Sequence, residues 1–145
     1  MTDINKLINN LKAVDVSDII QAATALTIKD LEKLQKEQML SGEDSKGKEI
    51  GRYKNKKYAA AKHILNPLPG LGVMDFKLYG DFQKLIFSTL DSSGATISSS
   101  DKKTARLLSI NKDVFTLNTD HTEKYSKEHM GPEATDLIKR KIHGL

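Results

Sequence analysis

Lys84-Leu85-Ile86-Phe87-Ser88-Thr89-Leu90, then Asp91-Ser92-Ser93-Gly94, then Ala95-Thr96-Ile97-Ser98-Ser99 is the stretch that decides the fold class. Its first run is rich in Leu, Ile, Phe and Thr, side chains that suit a half-buried pleated surface. Asp-Ser-Ser-Gly turns the chain and the following run supplies a partner strand, so the segment predicts a β-hairpin. Two strands alone are marginal in water, so a third has to come from elsewhere in the chain or from a neighbour. Val73 to Leu78 is the expected third strand.

Helical patterns flank the hairpin on both sides. Ile4, Leu7, Ile8 and Leu11 form one apolar stripe of a short helix. Asp15 or Ser17 caps a second run holding Ile19, Ile20, Ala22, Ala23 and Leu26. Thr27-Ile28-Lys29-Asp30 has the spacing of a capping box, with Asp in place of the usual Glu. From it a helix is expected through Leu31, Leu34 and Gln38 to about Leu40, with Gly42 ending it in the left-handed conformation. Its apolar face is narrow, which places this helix on a surface. Beyond the hairpin, Ser100 or Asp101 caps a run with Ala105 and Leu108, and Asn118 caps another after Val114-Phe115-Thr116-Leu117. Gly131-Pro132 is expected to break that helix, Pro being tolerated in the first turn of the next. The last helix carries Ala134, Leu137, Ile138 and Ile142 on one face, and Lys139, Arg140 and Lys141 near the negative end of its dipole. The reading is a single α+β domain over residues 1–145. Helices occupy 1–41, an extended basic loop 43–72, strands 73–99 and helices 101–145.

With 145 residues the chain can bury one real core but not two. Hydrophobic residues make up 38% and aromatics 6%, with no Trp, so the core is expected to be thin and aliphatic. A thin core on a chain that is 29% charged fits a subunit that gains stability from its neighbours. The absence of cysteine rules out disulfides, thiolate metal sites and a cysteine nucleophile. Met1-Thr2-Asp3-Ile4-Asn5 lacks the basic start and apolar run of a signal peptide, and no window approaches the ~18 apolar residues that span a bilayer. The expectation is a protein made and folded in a cytoplasm.

The middle of the chain carries most of the charge asymmetry. Lys46, Lys48, Arg52, Lys54, Lys56, Lys57 and Lys62 share their stretch with a single acid, Glu49. Such a run attracts phosphates by counterion release or is simply a solvated loop. Asp44-Ser45-Lys46-Gly47 is a turn signature, and Asn66-Pro67-Leu68-Pro69-Gly70 excludes helix interior. Between them Lys56 to Leu65 is the one helical candidate. Loops of this length are functional or disordered, and the aromatic and apolar content here argues for order.

Catalytic constellations do not emerge. His121 and His129 are too far apart along one helix face to share a metal ion, and His63 and His143 read as surface residues. There is no HExxH, and neither Asp44–Gly47 nor Asp91–Gly94 has the acids a calcium loop requires. Gly70-Leu71-Gly72 lacks the context of a phosphate loop. The expectation is no enzymatic activity and no cofactor.

Several motifs recur in an order that resembles the small head–tail connector or tail-completion proteins of tailed bacteriophages, in the version found in phages and prophages of Bacteroidetes. They are Gln38-Met39-Leu40-Ser41-Gly42, the turn Asp44 to Gly47, Ile50-Gly51-Arg52-Tyr53 and Tyr58 to Lys62. Met74-Asp75-Phe76-Lys77-Leu78-Tyr79-Gly80-Asp81-Phe82 matches the family's central motif, departing from it at Tyr79 where Thr is usual. Phe115-Thr116-Leu117-Asn118 matches a helix entry. The resemblance runs from Gln38 to the C-terminus. It implies a virion subunit that forms a ring of roughly six or twelve copies in the neck or upper tail, between portal or adaptor proteins and tail proteins, with DNA in the lumen. Tyr53, Tyr58, Leu78 and Phe82 are then the expected interface anchors, since buried aromatics dominate such contacts. Lys46, Lys48, Arg52, Lys54, Lys56, Lys57 and Lys62 are the expected DNA- or partner-facing cations. A second reading makes the chain a small basic nucleic-acid-binding protein that uses Arg52 to Lys62 with Tyr53 and Tyr58, its cations tracking phosphates and its tyrosines stacking bases.

Overall fold

The computed structural model describes residues 3–77 and 81–145, without the side chain of Asp81. The architecture is α+β. Three helices open the chain: α1 (Ile4–Lys12), α2 (Val16–Leu26) and α3 (Ile28–Leu40). The middle holds α4 (Lys56–Leu65) and the short α5 (Asp81–Lys84), the hairpin follows as β1 (Ile86–Asp91) and β2 (Gly94–Ser99), and α6 (Thr104–Ile110), α7 (Thr119–Tyr125) and α8 (Gly131–His143) complete it. No helix among the described residues is long and apolar enough to cross a membrane.

The hairpin forms where its sequence predicts it, antiparallel from Ile86↔Ser99 to Asp91↔Gly94. Asp91 Oδ1 accepts the Ser93 N–H at 2.7 Å and closes the turn. No third strand joins it among the described residues. Val73 makes only an isolated bridge to Arg52, and 74–77 is irregular. Gly72 at φ +86° and Phe76 at φ +52° break the extended backbone a strand there would need. Leu78, the end of that expected strand, lies outside the described residues.

Helix α3 is central, not superficial. Leu31, Glu32, Leu34, Gln35, Gln38 and Met39 are all buried on it, and it packs against β1 and α7. The polar residues that made its apolar face look narrow are the ones that bind the rest of the fold. Gln35 Nε2 donates to the Val114 carbonyl at 2.8 Å. Gln38 donates to the Thr116 carbonyl at 2.9 Å and accepts the Asn118 N–H at 2.7 Å. Glu32 accepts the Ser88 N–H at 2.9 Å, so a buried carboxylate caps the outer edge of β1. Buried amides are tolerated when they satisfy backbone groups that would otherwise be orphaned.

Two apolar clusters result. One joins Met39, Ile50, Phe82, Ile86 and Val114, the other Leu31, Leu34 and Tyr125, and Ile97 on β2 packs against both. The expected capping box at Thr27 does not form. Thr27 Oγ1 instead donates to the Ala23 carbonyl and so must accept from the Tyr125 hydroxyl, 2.8 Å away. Asp15 caps α2 and Asn118 caps α7, as their sequence contexts predict. Asp101 accepts the Lys103 N–H just ahead of α6 rather than capping the helix itself.

Pro132 sits in the first turn of α8 as expected, but Gly131-Pro132 does not break the chain's helical course after α7. A π-helical turn (Ser126–Met130) carries α7 into α8 without interruption. The wider turn relieves the clash between a proline ring and the carbonyl four residues before it. Gly131 N–H reaches back to Ser126 O, and a side chain at 131 would meet that oxygen at 2.6 Å. Helix α8 then packs its half-buried face against α1 and α2.

Candidate docking groove

The middle segment is folded onto the end of α3 by a sequence of tight turns. Gly42 ends that helix at φ +73°, and a Cβ there would strike Pro69 and Val73, each at 2.7 Å. Asp44 then accepts the N–H groups of Lys46 and Lys48 and an Asn111 amide, holding the Asp44–Gly47 turn. Burial pushes the Asp44 carboxyl up, but the Asn111, Lys48 and Lys46 hydrogen bonds outweigh it and hold the group below its ordinary value. Asn55 caps α4 by accepting the Tyr58 N–H.

Behind α4 sits a buried polar network. Lys62 Nζ lies 2.7 Å from Asp75 Oδ1, with only 4% and 2% of the two side chains exposed. The ammonium finds no well-aligned hydrogen-bond acceptor among the described residues, so the contact is close as an ion pair and poor as a hydrogen bond. Asp75 also accepts from the Tyr53 hydroxyl at 3.2 Å, the Asn66 amide at 2.8 Å and the Lys77 N–H at 3.1 Å. Burial, then the Asp75 charge, raises the Tyr53 phenol above its ordinary range and keeps it protonated.

Over this network opens a groove of about 460 Å³. Its walls are Tyr53, Tyr58, Phe76 and Phe82, with Leu107 and Ile110 from α6 opposite, and Lys103, Arg106 and the acid Asp101 also line it. Tyr53 and Tyr58 meet edge to face at 5.0 Å. Three of the four expected anchors thus converge on one concavity, in unequal states. Tyr58 is exposed, Tyr53 is half-buried, and Phe82 is a core residue packed between the tilted rings of Phe76 and Phe115. Leu78 lies outside the described residues.

The expected cations divide three ways. Lys48, Lys54, Lys56 and Lys57 are solvated. Lys46 pairs with Asp113 at 2.7 Å and Arg52 with Glu49 at 2.6 Å, each acid raising its partner's pKa. Lys62 departs from the expectation of a solvated cation, being buried against Asp75 beneath the groove it helps to line. Sequence reasoning missed Asp75 and Asn66. The available signal was an acid inside the apolar run Val73-Met74-Asp75-Phe76, which has to find a cation or several donors if the run is buried. It also missed Lys103 and Arg106, which reach the groove only because α6 folds over it. Among the described residues no group of three His, Asp or Glu side chains could hold a metal ion.

This arrangement offers apolar and aromatic surface edged by two cations, Lys103 and Arg106, and one acid, Asp101, while the Lys62–Asp75 charges are consumed internally. It can grip a partner's apolar side chain flanked by carboxylates. Comparison with known protein families, characterised proteins and solved structures finds no match.

Proposed function

We propose that this chain is a non-catalytic structural subunit that assembles through its middle segment. On the resemblance of its ordered motifs, we place that assembly in the neck or upper tail of a tailed phage, as a ring joining the portal side to the tail. The observation that carries the assembly reading is the aromatic groove with its charged rim. Tyr53, Tyr58 and Phe82, separated along the chain, share it, and its fixed walls offer a preorganised seat for a protein side chain. The ion pair beneath holds Lys62 and Asp75 to each other and serves the shape of the groove. Negative-stain imaging of the purified chain, alone and mixed with portal and tail components of the same particle, tests the reading. Rings or stable complexes are expected; a strict monomer that binds neither component overturns it.

One observation favours the nucleic-acid reading. Lys56 and Lys57 occupy the first turn of α4, where no acid accompanies them and the helix dipole disfavours cations by about 0.3–1 kcal/mol each. Placing two lysines at this cost makes sense if they meet an anion. That reading expects steeply salt-dependent DNA binding. Affinity unchanged after neutralising Lys54, Lys56 and Lys57 together would rule it out.

A further inference from the structure

The two edges of the hairpin are treated differently. On the β1 side the Glu32 carboxylate holds the Ser88 N–H, so Ser88 turns its backbone away from β2. Opposite residues of an antiparallel pair either exchange both backbone bonds or turn both sets of groups outward. Ser88 is paired with Ile97, so the Ile97 N–H and C=O also point outward, on the far side of β2. Alternation gives Ala95 and Ser99 the same direction. The Ser99 carbonyl accepts from the Thr104 hydroxyl at 3.1 Å, which fits this phase and closes that end of the edge. Ala95 and Ile97 are left with two N–H and two C=O groups that meet no partner among the described residues.

Nothing in the strand protects this edge. Exposed edges are usually blunted by a charge, a proline or a bulge. Gly94-Ala95-Thr96-Ile97-Ser98-Ser99 has no charge and no proline, and its register with β1 runs without a bulge. There is also room beside it. A groove of about 540 Å³ is lined by Ala95, Thr96 and Ile97 together. Successive strand residues point to opposite faces, so three in a row line one concavity only where it follows the edge. Phe115 and Leu117 form its far wall over Leu31, and no described residue lining it is charged.

We infer that the outer edge of β2 is a strand-addition site, taking an extended, uncharged segment of a partner polypeptide as the third strand of the sheet. The unpaired backbone groups select the occupant. Donors and acceptors repeating every second residue, at about 3.4 Å per residue, are matched by an extended backbone. A helix has already spent its backbone groups internally, and a nucleic acid brings phosphates that find no cation in this groove. Side chains that enter beside Ile97, Phe115 and Leu117 have to be uncharged, because a lone charge there would lose its water without gaining a partner. A sheet of two strands, marginal alone, gains by the addition. The site shares no lining residue with the aromatic groove, so it stands independently of the assembly reading drawn from that groove.

Amide hydrogen exchange on the full chain, read residue by residue by NMR, tests it with the synthetic peptide acetyl-Thr-Val-Thr-Val-Thr-Val-amide as probe. The Ala95 and Ile97 N–H groups are expected to exchange freely in the chain alone and at least about tenfold more slowly with the peptide. The Thr96 N–H, already bonded across to Thr89, should change little. The same peptide N-methylated at every residue keeps its side chains, loses its donors and should no longer bind. Ala95→Pro removes an outward N–H that the hairpin does not use, so the variant should melt close to the wild type and lose the peptide. Thr122→Glu, at an exposed position of the groove lining, should weaken binding at least about tenfold without touching the edge. Protection of the same two amides that grows with chain concentration and disappears in Ala95→Pro would support the inference and name a second copy as the strand donor. A peptide that leaves Ala95 and Ile97 unprotected, or a methylated peptide that binds equally well, overturns it. Folded variants that both bind like the wild type overturn it too, and rings or complexes formed through the aromatic groove would be unaffected.

Discussion

Where α3 meets residues 114–118 the buried polar groups are neutral amides, and where α4 meets the 66–75 turn they include a full ion pair. In the first region Gln35 and Gln38 replace missing secondary structure, each amide clasping the backbone of a segment that has no strand partner. A neutral amide loses little on leaving water if its partners are good; Gln38 uses both its nitrogen and its oxygen, while the Gln35 oxygen is buried without a partner among the described residues. In the second, Lys62 and Asp75 are almost wholly removed from solvent, and only the donors from Tyr53, Asn66 and Lys77 make the carboxylate tolerable. A buried pair of this kind is weak as a stabiliser and costly to break from one side. The two regions therefore differ in purpose. The amide clamp holds the core together, while the ion pair fixes the shape of a surface, the aromatic groove on one side and the 66–75 turn on the other.

The largest expected effect comes from breaking the charged region asymmetrically. Asp75→Ala strands the Lys62 ammonium and should destabilise the fold by about 3–5 kcal/mol in urea denaturation. Lys62→Met should cost less, because the carboxylate keeps its hydrogen bonds to Tyr53, Asn66 and the Lys77 N–H. Equal losses for the two would mean that the pair, and not the carboxylate, organises the turn.

Next in size, Gln38→Leu orphans the Thr116 carbonyl and the Asn118 N–H and should cost about 2–3 kcal/mol by the same measurement. A loss below that of a surface substitution would show that the neutral clamp is decorative and collapse the contrast. Tyr125→Phe is milder still. Thr27 keeps its bond to the Ala23 carbonyl, so only the tyrosine hydroxyl bond is lost, about 1 kcal/mol in thermal or chemical unfolding.

The smallest effect is that of acid on the Asp44 turn. Its carboxyl titrates below the ordinary 3.8 in the folded chain, so its contribution is fully present above that unfolded value. It is lost as pH falls through the folded value. The stability difference between the wild type and Asp44→Asn should be constant from neutral pH down to about pH 5 and shrink below pH 4. A difference that grows with acidification would contradict the sign of the shift.

Much of the local structure was legible because its causes are local. Gly42 and Gly47 sit at positive φ where only glycine is at ease, Asp44 and Asp91 bond to backbone N–H groups two residues on, and Asp15, Asn55 and Asn118 cap the helices that follow them. The candidate site was half legible. Aromatics between lysines marked the right segment, but nothing in the pattern distinguished Lys62, which is buried, from Lys56, which is solvated.

The sequence by itself determined the α+β class, the hairpin and its turn, the span of α4, and most helix starts. The tertiary structure alone decided that α3 is the centre of the fold, that Val73 to Phe76 forms no strand, and that α7 runs into the final helix through a π-helical turn. It alone joined Thr27 to Tyr125 across 98 residues and Gln35 to Val114 across 79. The physical reason is range. Capping, φ preference and pleating are written within a few residues, whereas burial of a polar side chain depends on which distant backbone group arrives to meet it.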